Sequence, residues 1–127
     1  MIDVKLFDFY DSFKVVINGH AGFAPKGQDI VCAGVSALSD ALVRTIEFYR
    51  SDLEEITLNI ENGLLYLYIG KLKGDMLKKA EACLQMFYLG IFGIAEEYPK
   101  HVKVAYYGGS NEGSLNNDTS EQTMKNE

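Results

Sequence analysis

The apolar residues of this 127-residue chain change their period at Ile30, and this change constrains the fold more than any other feature. Before it, the segments IDVKLFDF and FKVVINGH alternate apolar and polar side chains around the turn residues YDS. This pattern predicts a β-hairpin whose second strand ends at His20. After it, apolar residues recur at helical spacing as far as Tyr49, which predicts an amphipathic helix ending near Arg50. Asp29 immediately precedes this helix and is its expected N-cap.

A second hairpin and a second helix follow. The segments EEITLNI and GLLYLYIG meet at Asn62 and Gly63, and Asn-Gly is a strong signal for a tight hairpin turn. A helix is then predicted after Gly74, with Asp75 as its N-cap, ending before Pro99, and HVKVAYY predicts a last short strand. The order β-β-α-β-β-α-β predicts an α+β fold, a two-layer sandwich with two helices packed on a mostly antiparallel sheet.

Composition limits the classes of partner. A formal net charge of −6 argues against nucleic acid, because phosphate binding needs clustered Lys and Arg. Since no run approaches the roughly 18 apolar residues that span a bilayer, no membrane segment is expected. Two cysteines and the absence of a leader-like N-terminus favour the reducing cytoplasm. No metal-ligand spacing is present, and HAGFAPKG lacks the Gly-Lys-Ser/Thr ending of a phosphate loop, so neither metal nor cofactor is predicted.

The domain is expected to span residues 1–107. Residues 108–127, GGSNEGSLNNDTSEQTMKNE, contain almost no apolar side chains and carry four carboxylates against one lysine. Such a segment buries too little surface to offset the entropy of ordering, so it is predicted to be a disordered polar tail.

The stretch GHAGFAPKGQDIVCAGVSAL carries the candidate chemistry. Val31 is at the centre of the predicted buried stripe, and Cys32 lies about 100° round the helix from it, off the core face. It shares a small, polar flank with Ser36 and Ser39, which would suit the floor of a substrate groove. At the third position of a helix capped by Asp29, unpaired N–H groups and the helix dipole favour an anion, and therefore the thiolate. The same N–H groups are suited to holding an oxyanion.

His20 is the candidate base for this thiol. Eleven residues separate it from Cys32, which permits a loop that returns the imidazole to the helix start. Gly19, Gly22 and Gly27 would allow that loop to act as a mobile lid that admits a peptide and then excludes water. Gly34 falls within the buried stripe, where it is expected to let the helix approach the sheet closely.

Three alternatives remain open on the residues alone: a reactive pair of Cys32 and His20 that cleaves a peptide, a non-catalytic binding module, and thiol chemistry with another acceptor. A cysteine and a histidine separated by a loop are usually unrelated, and cysteine is among the most buried residue types. Cys32 would then be incidental in a non-catalytic module that binds a peptide or protein through the glycine-rich loop. A third alternative keeps the thiol chemistry but uses another acceptor, as in acyl transfer or redox sensing. Cys83, at the edge of the second apolar stripe, is predicted to be structural.

The run GHAGFAPKGQDIVCAGVSAL resembles the signature of the bacterial ribosomal-processing cysteine protease family, a His-Gly-rich loop followed by Asp-Ile-Val-Cys-Ala-Ala-Val-Ser. The order of elements and the length of the body, to about Tyr107, are also similar to that family. The resemblance implies Cys32 as nucleophile and His20 as general base. It gives Asp29 a capping or positioning role, and Ser36 a role in contacting substrate or supporting the thiol.

The resemblance further implies an endopeptidase of narrow range. Members of the family remove a short N-terminal extension from a large-subunit ribosomal protein, cutting after an aromatic residue, and are homodimers. The expected partners are therefore a peptide segment of a ribosomal protein precursor and a second copy of this chain. Two departures stand out: Gly34 replaces the second alanine of the usual Ala-Ala pair, and the polar tail lies outside the similarity. The tail puts the substrate in question, not the reaction type.

Overall fold

The computed structural model describes residues 1–19 and 29–108, together with the backbone of residues 115–116. The order of elements agrees with the predicted order, and a short 3-10 helix, Arg50–Asp52, follows the first helix. His20, Gly22, Gly27 and most of the predicted tail lie outside the described residues. The elements are β1 (Ile2–Asp8), β2 (Phe13–Asn18), α1 (Ile30–Phe48), β3 (Glu55–Glu61), β4 (Leu64–Gly70), α2 (Gly74–Glu97), β5 (Val102–Gly108) and β6 (Leu115–Asn116).

Helix α1 begins as the sequence predicts. Asp29 has extended backbone angles and its side chain caps the first turn, which satisfies one of the N–H groups that a helix start leaves without an internal partner. Every fourth or third residue is then buried against the sheet, and the helix ends at Phe48, two residues earlier than expected. Its buried residues are Val31, Val35, Ser39, Leu42 and Ile46.

Helix α2 shows where the capping prediction was wrong. Its N-cap is Lys73, not Asp75, and the Lys73 side chain makes no capping hydrogen bond. Asp75 instead lies in the first turn, where its negative charge complements the helix dipole. A carboxylate stabilises a helix start either as the N-cap or within the first turn, and the sequence does not distinguish between these two positions. The helix ends at Glu97, before Pro99, as predicted.

The sheet has the order β3-β4-β2-β1-β5-β6. Among the described strands, β1 and β5 pair in parallel, and the other pairs are antiparallel. The hairpins β1–β2 and β3–β4 lie side by side through β2 and β4, with Asn18 opposite Leu64. Because β2 already ends at Asn18, the predicted strand end at His20 was two residues too long.

The two layers enclose one core, which confirms the predicted α+β sandwich. Alternate residues of the central strands point toward the helices and are almost fully buried, as in Val4, Val15 and Leu67. Aromatic residues of α2, chiefly Phe87 and Phe92, fill the same core. No helix within the described ranges is both long and apolar enough to cross a membrane.

Gly34 allows a close approach, but to a different element from the one predicted. A β-carbon built at Gly34 would lie 3.2 Å from Cδ1 of Ile94, so the glycine lets α1 approach α2 and not the sheet. Helical periodicity identified a packed position without identifying its neighbour.

The described part of the tail consists of two residues. Leu115 pairs with Tyr106 and Asn116 with Ala105, so β6 extends the sheet beyond β5. Gly108 is also described and ends β5. The other residues of the range 108–127, for which disorder was predicted, lie outside the described residues.

Candidate active site

Cys32 lines a groove between α1 and one end of the sheet. The groove encloses about 530 Å³, within the range of roughly 300–1,000 Å³ that is common for ligand clefts. One wall is the flank of α1 that the sequence singled out. This wall consists of Cys32, Val35, Ser36, Ser39, Asp40 and Val43.

The β3–β4 hairpin forms the opposite wall, which no local sequence pattern predicts. Residues 60–65 line the groove there, together with Ile2, Ile17 and Gly19 from the first hairpin. Ile60 is 57% exposed although it is a large apolar residue at an inward-facing position of its strand. The Asn-Gly signal predicted the turn itself. Its position opposite α1 depends on the pairing of β2 with β4, which no local pattern reveals.

Asp29 holds the start of the helix at Cys32. Its Oδ1 atom accepts a hydrogen bond of 2.9 Å from the Cys32 N–H, and its backbone carbonyl accepts one of 3.0 Å from the Ala33 N–H. The Asp29 side chain is nearly buried, so this cap is sheltered from water. One consequence differs from expectation: the Cys32 N–H, counted among the groups suited to an oxyanion, is already engaged.

Cys32 itself is half-buried. It packs at the border of the core and also lines the groove. Cys32 therefore lies beside the buried stripe, as predicted, but it also makes a partial contact with the core, which was not predicted. Both cysteines are thiols. Cys83 is also half-buried against the core, but it does not line the groove, and burial raises the pKa of its thiol.

The serines of the flank differ in environment. Ser36 is exposed at the groove surface, one turn beyond Cys32. Ser39 is buried and its hydroxyl donates to the Val35 carbonyl at 2.7 Å. Ser36 is therefore the more exposed of the two serines that line the groove.

Gly19 is the last described residue after β2, and neighbouring backbone groups restrict its position. Its N–H donates to the Gly63 carbonyl at 2.9 Å, which joins the two hairpins beside the groove. Its φ of +97° belongs to the region that favours glycine, and a β-carbon there would overlap the Met1 carbonyl. The chain therefore leaves toward His20 from a fixed point. His20, Gly22 and Gly27 lie outside the described residues, so their positions relative to Cys32 remain predictions.

Metal ligands do not gather in the described ranges: no three side chains from His, Cys, Asp and Glu lie together there. A thiol at a capped helix start that faces a groove is an arrangement found in the class of thiol-dependent hydrolases.

Comparisons with known proteins specify the family. Residues 1–103 match the model of the family described as cysteine protease Prp, and the chain belongs to this family. It is a cysteine protease. The ribosomal processing cysteine protease Prp of Staphylococcus aureus is 28% identical over 105 residues, covering 83% of this chain and 96% of that protein. The protein of the same name from Mycoplasma genitalium is 31% identical over 90 residues, covering 71% and 84%.

A solved structure agrees with this assignment. The S. aureus ribosomal processing protease Prp, in complex with a covalently linked product peptide, superposes with a TM-score of 0.71 at 28% identity. The match covers 84% of this chain and 99% of that one. The fold and the class of enzyme are thus the ones that the sequence predicted.

Proposed function

We propose that this chain is an endopeptidase that removes a short N-terminal extension from a large-subunit ribosomal protein, with Cys32 as nucleophile. The single observation that carries the assignment of Cys32 is its place at the start of α1 in the wall of the groove. Cys83, the other thiol, does not line the groove, and its raised pKa disfavours the thiolate.

The proposed reaction is acyl transfer through a thioester. His20 removes the proton from Cys32, and the thiolate attacks the carbonyl carbon of the scissile peptide bond. The imidazolium then returns this proton to the leaving amine, so that the C–N bond breaks and a thioester remains. Water, deprotonated by His20, attacks the thioester and releases the acid product and the Cys32 thiol.

The oxyanion of each tetrahedral intermediate needs hydrogen-bond donors. Because Asp29 already accepts from the Cys32 N–H, we assign this role to the remaining N–H groups of the first turn of α1. Asp29 is a positioning residue in this scheme, since it holds the helix start that presents the thiol. Ser36 is placed to contact the bound peptide, because its exposed side chain lines the groove beside Cys32.

The relatives and the shape of the groove support the proposed substrate. The relatives are named as ribosomal processing proteases, and one of them was solved with a linked product peptide. The groove here is open and bounded by Ile60, Leu64 and Leu65, which suits an extended peptide with large apolar side chains. We therefore propose cleavage after an aromatic residue, with Gly19, Gly22 and Gly27 supporting a lid loop that covers the peptide.

The test is cleavage of a peptide that spans such an extension with one phenylalanine at the cut. We expect cleavage by the parent chain and by Cys83→Ala, which is the matched control for loss of a thiol. Cys32→Ala and His20→Ala are expected to reduce cleavage by at least about a thousandfold, as removal of a nucleophile or base does in comparable enzymes. Undiminished cleavage by Cys32→Ala would overturn the proposal.

We further propose that the enzyme acts as a homodimer in the cytoplasm. Several large apolar side chains on the helices are exposed, among them Ile30, Phe48 and Met86, as on surfaces that meet a partner. A ribosomal protein precursor is a cytoplasmic substrate, which supports the location. Sedimentation equilibrium tests the dimer, and a monomer at micromolar concentration contradicts it.

A further inference from the structure

The side of helix α2 that faces away from the core has an uncharged middle. Residues of α2 such as Leu84 and Ile91 face the core and are almost fully buried. The residues about half a turn away from them, at spacings of three and four, share the opposite side of the helix. We call this side the outer face of α2. Its middle, about three turns without a charged residue, consists of Ala82, Met86, Leu89 and Gly93.

This outer face exposes large apolar side chains. Met86 is 63% exposed and Leu89 is 37% exposed, although the solvent side of a helix usually carries polar and charged residues. Phe48 of α1, which is 79% exposed, extends the apolar surface sideways. Its ring packs against that of Tyr49, and Nζ of Lys79 on α2 lies 5.0 Å from the centre of the Tyr49 ring. A patch of this kind is typical of a surface that meets a partner.

The two ends of the outer face carry opposite charges. Lys78 and Lys79 precede the apolar middle, and Glu96 and Glu97 follow it at the end of the helix. Asp75, one turn before the lysines, offsets one of the two positive charges. The helix dipole favours basic residues at the C-terminal end, so it does not account for the two glutamates. Within the described ranges, none of the two lysines and two glutamates takes part in a salt bridge.

The apolar residues are placed symmetrically along the helix. The midpoint between Met86 and Leu89 is also the midpoint between Ala82 and Gly93. A twofold axis through this point, perpendicular to α2, therefore brings the apolar middle of one chain against the apolar middle of a second copy. The small residues at its margins let the two helices approach closely.

The charged residues have the same midpoint. The twofold axis places Lys78 opposite Glu96 of the second copy and Lys79 opposite Glu97 of the second copy, and it repeats both pairs at the other end. An isologous interface uses the same surface on both chains and requires that surface to be complementary to itself. The outer face of α2 meets this requirement in charge as well as in apolar contact.

We infer that the second copy of this chain docks on the outer face of α2, with the two α2 helices antiparallel and related by this twofold axis. The inference rests on the proposed homodimer, to which it adds the surface, the orientation and the ion pairs. A second copy fits this surface better than an unrelated partner, because only self-association requires a pattern that is symmetric about one point. None of the described residues that line the groove with Cys32 belongs to α2, so the interface does not use the groove walls.

Charge reversal in the full-length chain tests the interface. Lys78→Glu and Glu96→Lys each convert two attractive pairs of the dimer into repulsive ones. Sedimentation equilibrium at low ionic strength is expected to show a dissociation constant about tenfold higher for either variant than for the parent chain, with a smaller difference at high salt. An equimolar mixture of the two variants should recover affinity to within about threefold of the parent, because every pair in the heterodimer joins opposite charges.

Two further variants define the position of the contact. Glu81→Lys makes the same charge change as Glu96→Lys on the same helix, but about a third of a turn away from the outer face, and it should leave the dissociation constant unchanged. Met86→Asp places two carboxylates beside the twofold axis and is expected to give a monomer at micromolar concentration. Urea midpoints, measured at a dilution where every protein is monomeric, verify that the variants fold as the parent does.

The outcomes distinguish this interface from the proposed function. A monomeric parent chain overturns the interface and the proposed homodimer together. A parent dimer that is insensitive to Lys78→Glu and Glu96→Lys, or a mixture that stays as weak as its components, overturns the interface and leaves the homodimer intact. None of these measurements depends on turnover, so a chain that dimerises as expected but cleaves no peptide supports the interface and contradicts the peptidase.

Discussion

The side chain of Asp29 accepts a hydrogen bond of 2.9 Å from the backbone N–H of Cys32, and this contact joins the cap of α1 to the candidate nucleophile. The carboxylate therefore has a structural task, whatever else it does in the reaction. It also removes one N–H group from those suited to stabilising an oxyanion.

Replacement of Asp29 tests the cap. Asp29→Ala removes the acceptor, and we expect the free energy of unfolding to fall by about 1 kcal/mol, the usual effect of losing an N-cap. Asp29→Asn keeps an acceptor oxygen and should retain most of that stability. Urea unfolding of the three proteins gives the comparison. Equal losses in the two variants would show that the charge of Asp29 matters more than its hydrogen bond.

The two thiols should differ in reactivity toward iodoacetamide at neutral pH. Burial raises the pKa of Cys83, so its thiolate fraction is small, and each unit of such a rise lowers that fraction about tenfold. Cys32 lies at the groove surface on a helix start, and we expect its alkylation to be about tenfold faster or more. Mass spectrometry after brief labelling gives the ratio.

The control for this experiment is the unfolded chain. In urea both thiols are solvated, so the rates should become nearly equal. As the pH rises, the folded chain should label Cys83 progressively faster. A Cys83 rate in the folded chain that matches the rate of Cys32 at neutral pH would contradict the assignment of Cys32 as the nucleophile.

The sequence predicted those features that depend on local periodicity and capping. The change of period at Ile30, the cap at Asp29 and the apolar stripe of α2 all follow from neighbours within a few residues. The flank of α1 that carries Cys32 and Ser36 was placed correctly for the same reason, since residues four apart share a helix face.

Features that depend on contacts distant in sequence were not predicted. The pairing of β2 with β4 brings Gly63 to Gly19 and places the end of β3 beside the groove, and alternation along either strand does not encode it. The same limit applies to Gly34, whose packed position was recognised but whose neighbour Ile94 belongs to another helix. Strand order is decided by the shared core, which no single segment specifies.

Tyr106 links alkaline stability to a contact between β5 and β1. Burial raises the pKa of Tyr106 well above its usual range, and the 2.6 Å hydrogen bond that its hydroxyl donates to Asp8 adds to the effect. The folded state therefore keeps this proton after the unfolded state has released it. Above the ordinary tyrosine pKa of about 10, the unfolded chain binds fewer protons, so the free energy of unfolding falls as the pH rises.

Tyr106→Phe tests this dependence. At pH 7 the variant loses the hydrogen bond to Asp8, and we expect a decrease of about 1 kcal/mol in the free energy of unfolding. Between pH 9 and about 11 its stability should fall less steeply than that of the parent chain, because one source of the proton imbalance is gone. Urea unfolding across this range measures both effects. Parallel curves for the two proteins would contradict the assignment to Tyr106.

Gly34 tests the balance between helix propensity and close packing. Alanine favours a helix interior by up to about 1 kcal/mol over glycine, but its β-carbon would lie 3.2 Å from Cδ1 of Ile94. We expect Gly34→Ala alone to change stability by less than about 0.5 kcal/mol, because the two effects oppose each other. In an Ile94→Val background, which removes Cδ1, the same substitution should be clearly more stabilising. Thermal unfolding of the four proteins completes the cycle, and additive effects would mean that Gly34 and Ile94 do not restrict each other.

Gly19 presents the reverse case, because its backbone conformation and its neighbours both exclude a side chain. The φ of +97° is strained for alanine, and the added β-carbon would overlap the Met1 carbonyl. We expect Gly19→Ala to lower the free energy of unfolding by about 2 kcal/mol, and to lower kcat by displacing the point from which the chain continues to His20. Gly93→Ala is the matched control, since a β-carbon there meets nothing within 4 Å; it should stabilise the chain slightly and leave kcat unchanged. Urea unfolding and peptide cleavage measure the two effects. A Gly19→Ala protein that is destabilised but retains the parent kcat when fully folded would show that Gly19 stabilises the hairpin junction without positioning the base.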